Sequence, residues 1–210
     1  MAAMNKHAAS LPHVTRVRGR PREFDMDQAL DGAIRVFRER GYHAASIGDL
    51  TDAMGLASGS LYKAFADKRE MFLAAFDRYT SLRNDQLATV VHAAKTARER
   101  LRDVLAFYIE SSRGVEGRRG CLVVGSAVEL ALFDREVAAR VNNSLAKNEA
   151  LLADLIRQGH ADKSIPRQVN PEETARVMVF LTQGMRVVGK AGRAPPDPSA
   201  TIGIAMKLLS

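Results

Sequence analysis

The chain has 210 residues, of which 46% are hydrophobic and 26% charged, so it holds enough apolar material for a core and is not an intrinsically disordered composition. Its formal net charge is +7, a balance that suits a polyanionic partner, and its one cysteine, Cys121, excludes an intrachain disulfide and a cysteine-based metal cage. No apolar run approaches the roughly 20 residues that span a bilayer, and the N-terminus lacks a signal-type hydrophobic segment, so a cytoplasmic protein with no membrane partner is expected.

Residues 1–22 carry Lys6, Arg16, Arg18, Arg20 and Arg22 without any Asp or Glu, and so supply +5 of the +7. A solvated tail has this composition too. The Arg18-Gly19-Arg20-Pro21-Arg22 run also suits a nucleic-acid arm, because Arg enters a narrow minor groove. Glu23 to Arg40 reads as an amphipathic helix, with Leu30, Ala33, Ile34 and Phe37 on one face and Gly41 as its stop.

Two short helical segments follow between Ser46 and Phe65, separated by Gly55. Ser46 is a suitable N-cap and Asp49 a first-turn acid that favours the helix dipole. Leu50 and Met54 form the apolar side of the first segment, and Leu61 and Phe65 that of the second. Asp67 then caps an element whose stripe is Met71, Phe72, Ala75, Phe76 and Tyr79.

Beyond about residue 80 the helices lengthen. Leu101, Leu105, Tyr108 and Ile109 share a face. Residues 121–133 are apolar on nearly all sides, which predicts a central buried helix, with strand an open alternative for 121–124. Val137, Val141, Leu145, Leu152 and Leu155 mark a further helix. Asn170-Pro171-Glu172-Glu173 opens the next one with a cap, a first-turn proline and two acids. A loop over 189–198 leads to a short amphipathic end carrying Ile202, Ala205, Met206 and Leu209. The pattern predicts an all-α protein of about nine helices: a basic arm over 1–22, a helix-turn-helix domain over 23–80, and a helical ligand-binding and dimerisation domain over 81–210.

A helix-turn-helix needs two short helices at a steep angle, a Gly at the turn, and apolar residues pinning both to a supporting helix. Residues 46–65 meet these needs, and the second helix offers Ser58, Ser60, Tyr62 and Lys63 as groups able to bond phosphates or base edges. An ordinary helical hairpin shares the bare pattern; the arm, supporting helix and capped third helix favour DNA.

The string from Ser46-Ile47-Gly48-Asp49-Leu50-Thr51 through Met54-Gly55-Leu56-Ala57-Ser58-Gly59-Ser60-Leu61-Tyr62-Lys63-Ala64-Phe65-Ala66-Asp67-Lys68, preceded by Phe37…Gly41-Tyr42, resembles the N-terminal domain of the TetR family of bacterial regulators. The resemblance covers residues 20–79. It implies a homodimer that places two recognition helices in successive major grooves of a near-palindromic operator, acts as a repressor, and is released by a small-molecule effector. It also implies that Ser46 and Lys68 touch phosphates while Ser58, Ser60, Tyr62 and Lys63 lie in or beside the groove. Ala57, Ala64 and Thr51 depart from residues common in the family; the first leaves the recognition helix with its cap passed to Ser58 or lost.

The resemblance further implies dimerisation through the last two helices, for which Val177, Leu181, Met185, Val188, Ile202 and Met206 are candidates. Phe107, Tyr108, Cys121, Glu129, Phe133 and Met178 are candidate pocket residues, each with plain core as its alternative. Glu129 in an apolar helix needs an Arg, a backbone partner or a ligand. Cys121 follows Arg118-Arg119-Gly120, where nearby cations and a helix N-terminus favour the thiolate, so a thiol-based electrophile or oxidant sensor is a second reading. The context Gly120-Cys121-Leu122 also resembles family members that sense such species. An all-α enzyme or an interaction protein is the rival class. His7, His13, His43, His92 and His160 are scattered without metal or triad spacing, so no catalytic residue, metal or cofactor is expected.

Overall fold

A computed structural model describes residues 25–92 and 96–210, so the basic arm with Arg18 and Arg20 lies outside the described residues. Among the described residues there are ten α-helices, a closing 3-10 turn and no strand. Helix α1 (Met26–Ala44) starts at Asp25, whose carboxylate accepts from the amides of Asp27 at 3.0 Å and Gln28 at 3.3 Å. Its regular turns stop at Gly41, where φ is +80°.

Helices α2 (Ile47–Met54) and α3 (Ser58–Ala64) flank Gly55, which takes the left-handed conformation at φ 66° and ψ 29°. A β-carbon there would be strained, so the turn needs Gly. Leu50, Met54, Leu61 and Phe65 meet Ile34 and Phe37 of α1 in one buried cluster. Helices α1 and α2 approach backbone to backbone: a β-carbon on Gly32 would stand 2.1 Å from the Ala53 carbonyl oxygen.

Helix α4 (Lys68–His92) begins with a reciprocal cap. The Asp67 carboxylate accepts from the Glu70 amide at 2.8 Å, and the Glu70 carboxylate accepts from the Ala66 amide at 2.6 Å. It continues unbroken through residue 80. Its first half, from Met71 to Tyr79, packs in the cluster under the helix-turn-helix, while Leu87 and Val91 belong to a second core.

Helix α5 (Ala97–Glu110) opens with a Thr96–Glu99 capping box. The short α6 (Gly114–Arg119) has no apolar period to announce it. Helix α7 (Leu122–Glu129) corrects the expectation of a helix buried on all sides over 121–133. Leu122, Val123 and Ser126 are buried, but Val128 is 82% exposed, and Leu132 and Phe133, in the turn beyond it, are 89% and 83% exposed. The helix packs mainly on α1 and α8 (Arg135–Ala161), with smaller contacts to α4 and to the helix over 171–190, and these leave Val128 uncovered.

Helix α8 starts at Asp134. Helix α9 (Pro171–Lys190) starts at Asn170, whose side chain accepts from the Glu173 amide at 3.0 Å with Pro171 in the first turn. Helix α10 (Pro198–Ala205) and the turn Met206–Leu209 end the chain. Two cores result. Leu122, Val123 and Leu130, with Val137 and Val141 of α8, complete the first, so the apolar interior beneath the helix-turn-helix is closed by residues far along the chain. The second joins the end of α4 to α5, α8, α9 and α10. Among the described residues no helix is long and apolar enough to cross a membrane.

Candidate nucleic-acid interface and interior cavity

On α3, Leu61 is buried while Ser58, Ser60, Tyr62 and Lys63 are exposed, Tyr62 by 54%. This is the expected division between a face pinned to the core and an exposed one. Ala57 stands at the N-cap and no side chain caps the helix, so the cap is lost rather than passed to Ser58.

Ser46 is more occupied than the sequence suggests. Its hydroxyl accepts from the Asp49 amide at 3.0 Å and donates to the Asp49 carboxylate at 2.7 Å, and its own amide donates to that carboxylate at 3.0 Å. These Ser46 bonds hold the Asp49 carboxyl below its ordinary value. The hydroxyl proton is therefore committed. First-turn geometry leaves the Ile47 and Gly48 amides without intrahelical acceptors. Lys68 sits half-buried, its Nζ 3.4 Å from the His43 carbonyl and 4.7 Å above the Tyr42 ring. That contact pins the start of α4 to the end of α1.

Of the candidate pocket residues, Phe107, Tyr108 and Cys121 come together on the wall of a partly open cavity of about 30 Å³ between α4, α5, α7, α8 and α9. Tyr79, Arg83, Leu87, Val123 and Arg186 share that wall. Burial, reinforced by Cys121, pushes the Tyr108 hydroxyl up to about 12, and burial raises Tyr79 likewise. Burial lowers the Arg83 guanidinium, with Arg186 adding to the effect. Arg83 stacks 4.2 Å above the Phe107 ring and donates to the Ser111 hydroxyl at 2.7 Å.

The other candidates lie elsewhere. Met178 is fully buried in the second core, and Phe133 is on the surface. The Glu129 carboxylate accepts from the backbone amides of Tyr42 at 2.9 Å and His43 at 2.7 Å. Those amides lie just past the break at Gly41, where the helix no longer supplies acceptors. Glu129 thus acts as a cap supplied across 87 residues of chain.

Sequence reasoning missed Arg186, Arg83 and Arg38. Arg186 is 2% exposed on the inner stripe of α9, in line with buried Met178 and Thr182 at i, i+4 and i+8. Its Nη2 donates to the Gly120 carbonyl at 3.1 Å, and its Nη1 has no hydrogen-bond partner among the described residues. The same carbonyl accepts from Arg38 Nε at 2.8 Å and Nη2 at 2.6 Å, while Arg38 also bridges the Glu116 carboxylate at 2.7 Å. The signal available in the sequence was a Thr and an Arg on that i, i+4 stripe.

The candidate dimer residues split in two. Val177, Leu181 and Val188 are exposed by 40%, 38% and 44%, and Val177, Leu181 and Met185 line a groove completed by Thr201, Ile204, Ala205 and Leu208. Ile202 and Met206 do not face it: both are buried in the second core. Ile204, about 200° round the helix from Ile202, is 65% exposed and takes the outward place.

Residues 29–75 match the family described as bacterial regulatory proteins, tetR family, and residues 97–198 match the Tetracyclin repressor-like, C-terminal domain. The HTH-type transcriptional repressor ComR of Escherichia coli is 28% identical over 93% of this chain and 93% of its own. The Uncharacterized HTH-type transcriptional regulator YezE of Bacillus subtilis is 34% identical over 57% of this chain and 62% of its own. A cysteine mutant of the TetR family transcriptional regulator CifR, complexed with 26-bp double-strand operator DNA, superimposes with a TM-score of 0.81 at 30% identity, covering 91% of this chain and 100% of the other.

Proposed function

The chain belongs to the TetR family of DNA-binding transcriptional regulators, and we propose that it is a homodimeric repressor whose grip on its operator is governed by a small molecule in the cavity walled by Arg186. Repression is supported by the similar ComR, which is named a repressor. The double-stranded operator partner is supported by the similar CifR complex. The operator should be near-palindromic, because a twofold dimer presents the same α3 twice.

The observation that carries the ligand-responsive part is the Gly120 carbonyl. It accepts from Arg186 on the cavity wall and from Arg38 on α1, the helix that supports the turn. A molecule that engages Arg186 shifts its guanidinium against this carbonyl and so changes the acceptor that Arg38 shares with it. At the far end of α7, Glu129 holds the Tyr42 and His43 amides three residues before the Ser46 cap. Helix α7 therefore touches the cavity at one end and the DNA-reading unit at the other, which is the physical connection a population shift needs.

The test is operator binding by fluorescence anisotropy with duplexes from the region upstream of the protein's own gene. Binding should be steeply salt-dependent, and a compound that raises the melting temperature of the full chain should weaken it. Failure to bind any duplex at low salt refutes the reading. A second, thiol-based reading rests on Cys121, a free cysteine partly buried on the same cavity wall. Mild N-ethylmaleimide treatment should then abolish operator binding of the natural protein and spare Cys121→Ser; equal responses refute it.

A further inference from the structure

The interior cavity holds two guanidiniums and no acid. Arg186 is 2% exposed, and its Nη1 has no partner among the described residues. Arg83 faces the same space. Glu116, whose carboxylate lies close enough to be stabilised by Arg186, is already bridged to Arg38 at 2.7 Å and Arg119 at 3.8 Å. None of the lining residues is Asp or Glu. Burying a cation without a counter-charge is costly, and so is leaving a buried donor unpaired. Both costs fall if an anion occupies the site.

We infer that the effector is a small organic carboxylate, held by Arg186 Nη1 and Arg83 with its hydrocarbon end against Leu87, Phe107 and Val123. This rests on the proposed role of the cavity as the effector site and adds the ligand's chemistry. The planar fork of a guanidinium matches a carboxylate better than a point charge does. The apolar side of the wall selects an organic anion over a fully hydrated inorganic one. The cavity volume of about 30 Å³ is small, so the shortest organic acids are the probes to use. Thr80, Asn84 and Ser144 connect the cavity to an open groove between α4 and α8, where Arg140 is paired with Asp77 and Lys147 also lines the wall.

Calorimetric titration of the full chain without DNA tests this, with acetate, propionate and butyrate against acetamide, propionamide and sodium sulfate at equal ionic strength. Propionate should bind at least about tenfold more tightly than propionamide, because the amide loses the charge-assisted bonds. Arg83→Gln should weaken propionate by about tenfold or more. Arg186→Lys, which keeps the charge but loses the fork, should do the same, with circular dichroism of the unliganded variant confirming that it folds. Amides that bind as well as acids overturn the inference. So does sulfate that binds more tightly than propionate, or the absence of any heat with all three acids. Operator binding by the same preparation separates the two ideas. A protein that binds its duplex and ignores every carboxylate refutes only the ligand class. One that binds propionate and no duplex refutes the regulator.

Discussion

Tyr62 and Lys63 are adjacent on α3, and both are exposed beside the buried Leu61. Their replacement should therefore touch DNA and little else. Lys63→Ala is expected to weaken operator binding by about tenfold and to reduce the log K against log salt slope by about 0.9 per protomer. Tyr62→Ala should weaken it comparably with the slope unchanged. Circular dichroism should be the same for both. At Glu129 the chemistry is different, because its carboxylate is the acceptor for two amides stranded after Gly41. Glu129→Gln keeps the shape and loses the charge, which should cost about 1–2 kcal/mol in urea denaturation and leave the DNA-reading face less firmly attached. The residue also shows the limit of local reading. Its acidity within an apolar stretch marks it as in need of a partner, but the partner is a backbone segment on the far side of the first core.

Among the helices, α8 depends on Asp134. That carboxylate caps the helix by accepting from the Glu136 and Val137 amides at 2.9 Å and 3.1 Å, and it accepts from Arg69 Nε of α4 at 2.6 Å. The Arg69 bond holds its carboxyl at about 2, below its ordinary value. A depressed carboxyl stabilises the fold above the unfolded value of about 3.9 and loses that contribution as pH falls through the folded one. Asp134→Ala should accordingly cost about 1–2 kcal/mol at neutral pH, the pair being partly exposed. The difference from the natural protein should narrow between about pH 4 and pH 2 in acid-unfolding curves. Gly32→Ala addresses the crossing of α1 and α2. Its β-carbon would meet the Ala53 carbonyl oxygen at 2.1 Å, so the helices must separate. A loss of about 3 kcal/mol is expected, with operator affinity falling as the two helices reorient. Caps of this kind are legible from the chain because donor and acceptor lie about three residues apart, as at Ser46, Asp67 and Asn170. The crossing is not legible, since nothing about Gly32 by itself names Ala53.

For the whole molecule, the outward stripe of α9 and the outer side of α10 form the largest question of assembly. Leu181→Asp together with Ile204→Asp places charges in the groove shared by these helices and should yield a monomer by light scattering with unchanged helicity. If two protomers read two half-sites, operator affinity should fall by at least about a hundredfold. An unchanged dimer would move the interface elsewhere. Periodicity identified an apolar stripe through Val177, Leu181, Met185 and Val188, but α9 carries a second one, through Met178, Thr182 and Arg186, rotated by about 100°. The inner stripe is the more polar of the two. An order of burial based on hydrophobicity therefore misses Thr182 and Arg186, which lie inside while Val177, Leu181 and Val188 are exposed.

What the sequence alone determined is what depends on neighbours along the chain: several helix caps, the turn at Gly55, the buried and exposed faces of α3, and the likeness to a family of regulators. These rest on hydrogen bonds spanning a few residues and on helical repeat, both of which are written in spacing. What the tertiary structure decided is where charge is buried and what answers it. Arg38 reaches Gly120 across 82 residues, Lys190 reaches the Arg38 carbonyl across 152, and Arg186 reaches Gly120 across 66. A polar side chain in an apolar helix announces that it needs a partner, but the free energy of burying it is set by groups that only folding brings within bonding distance.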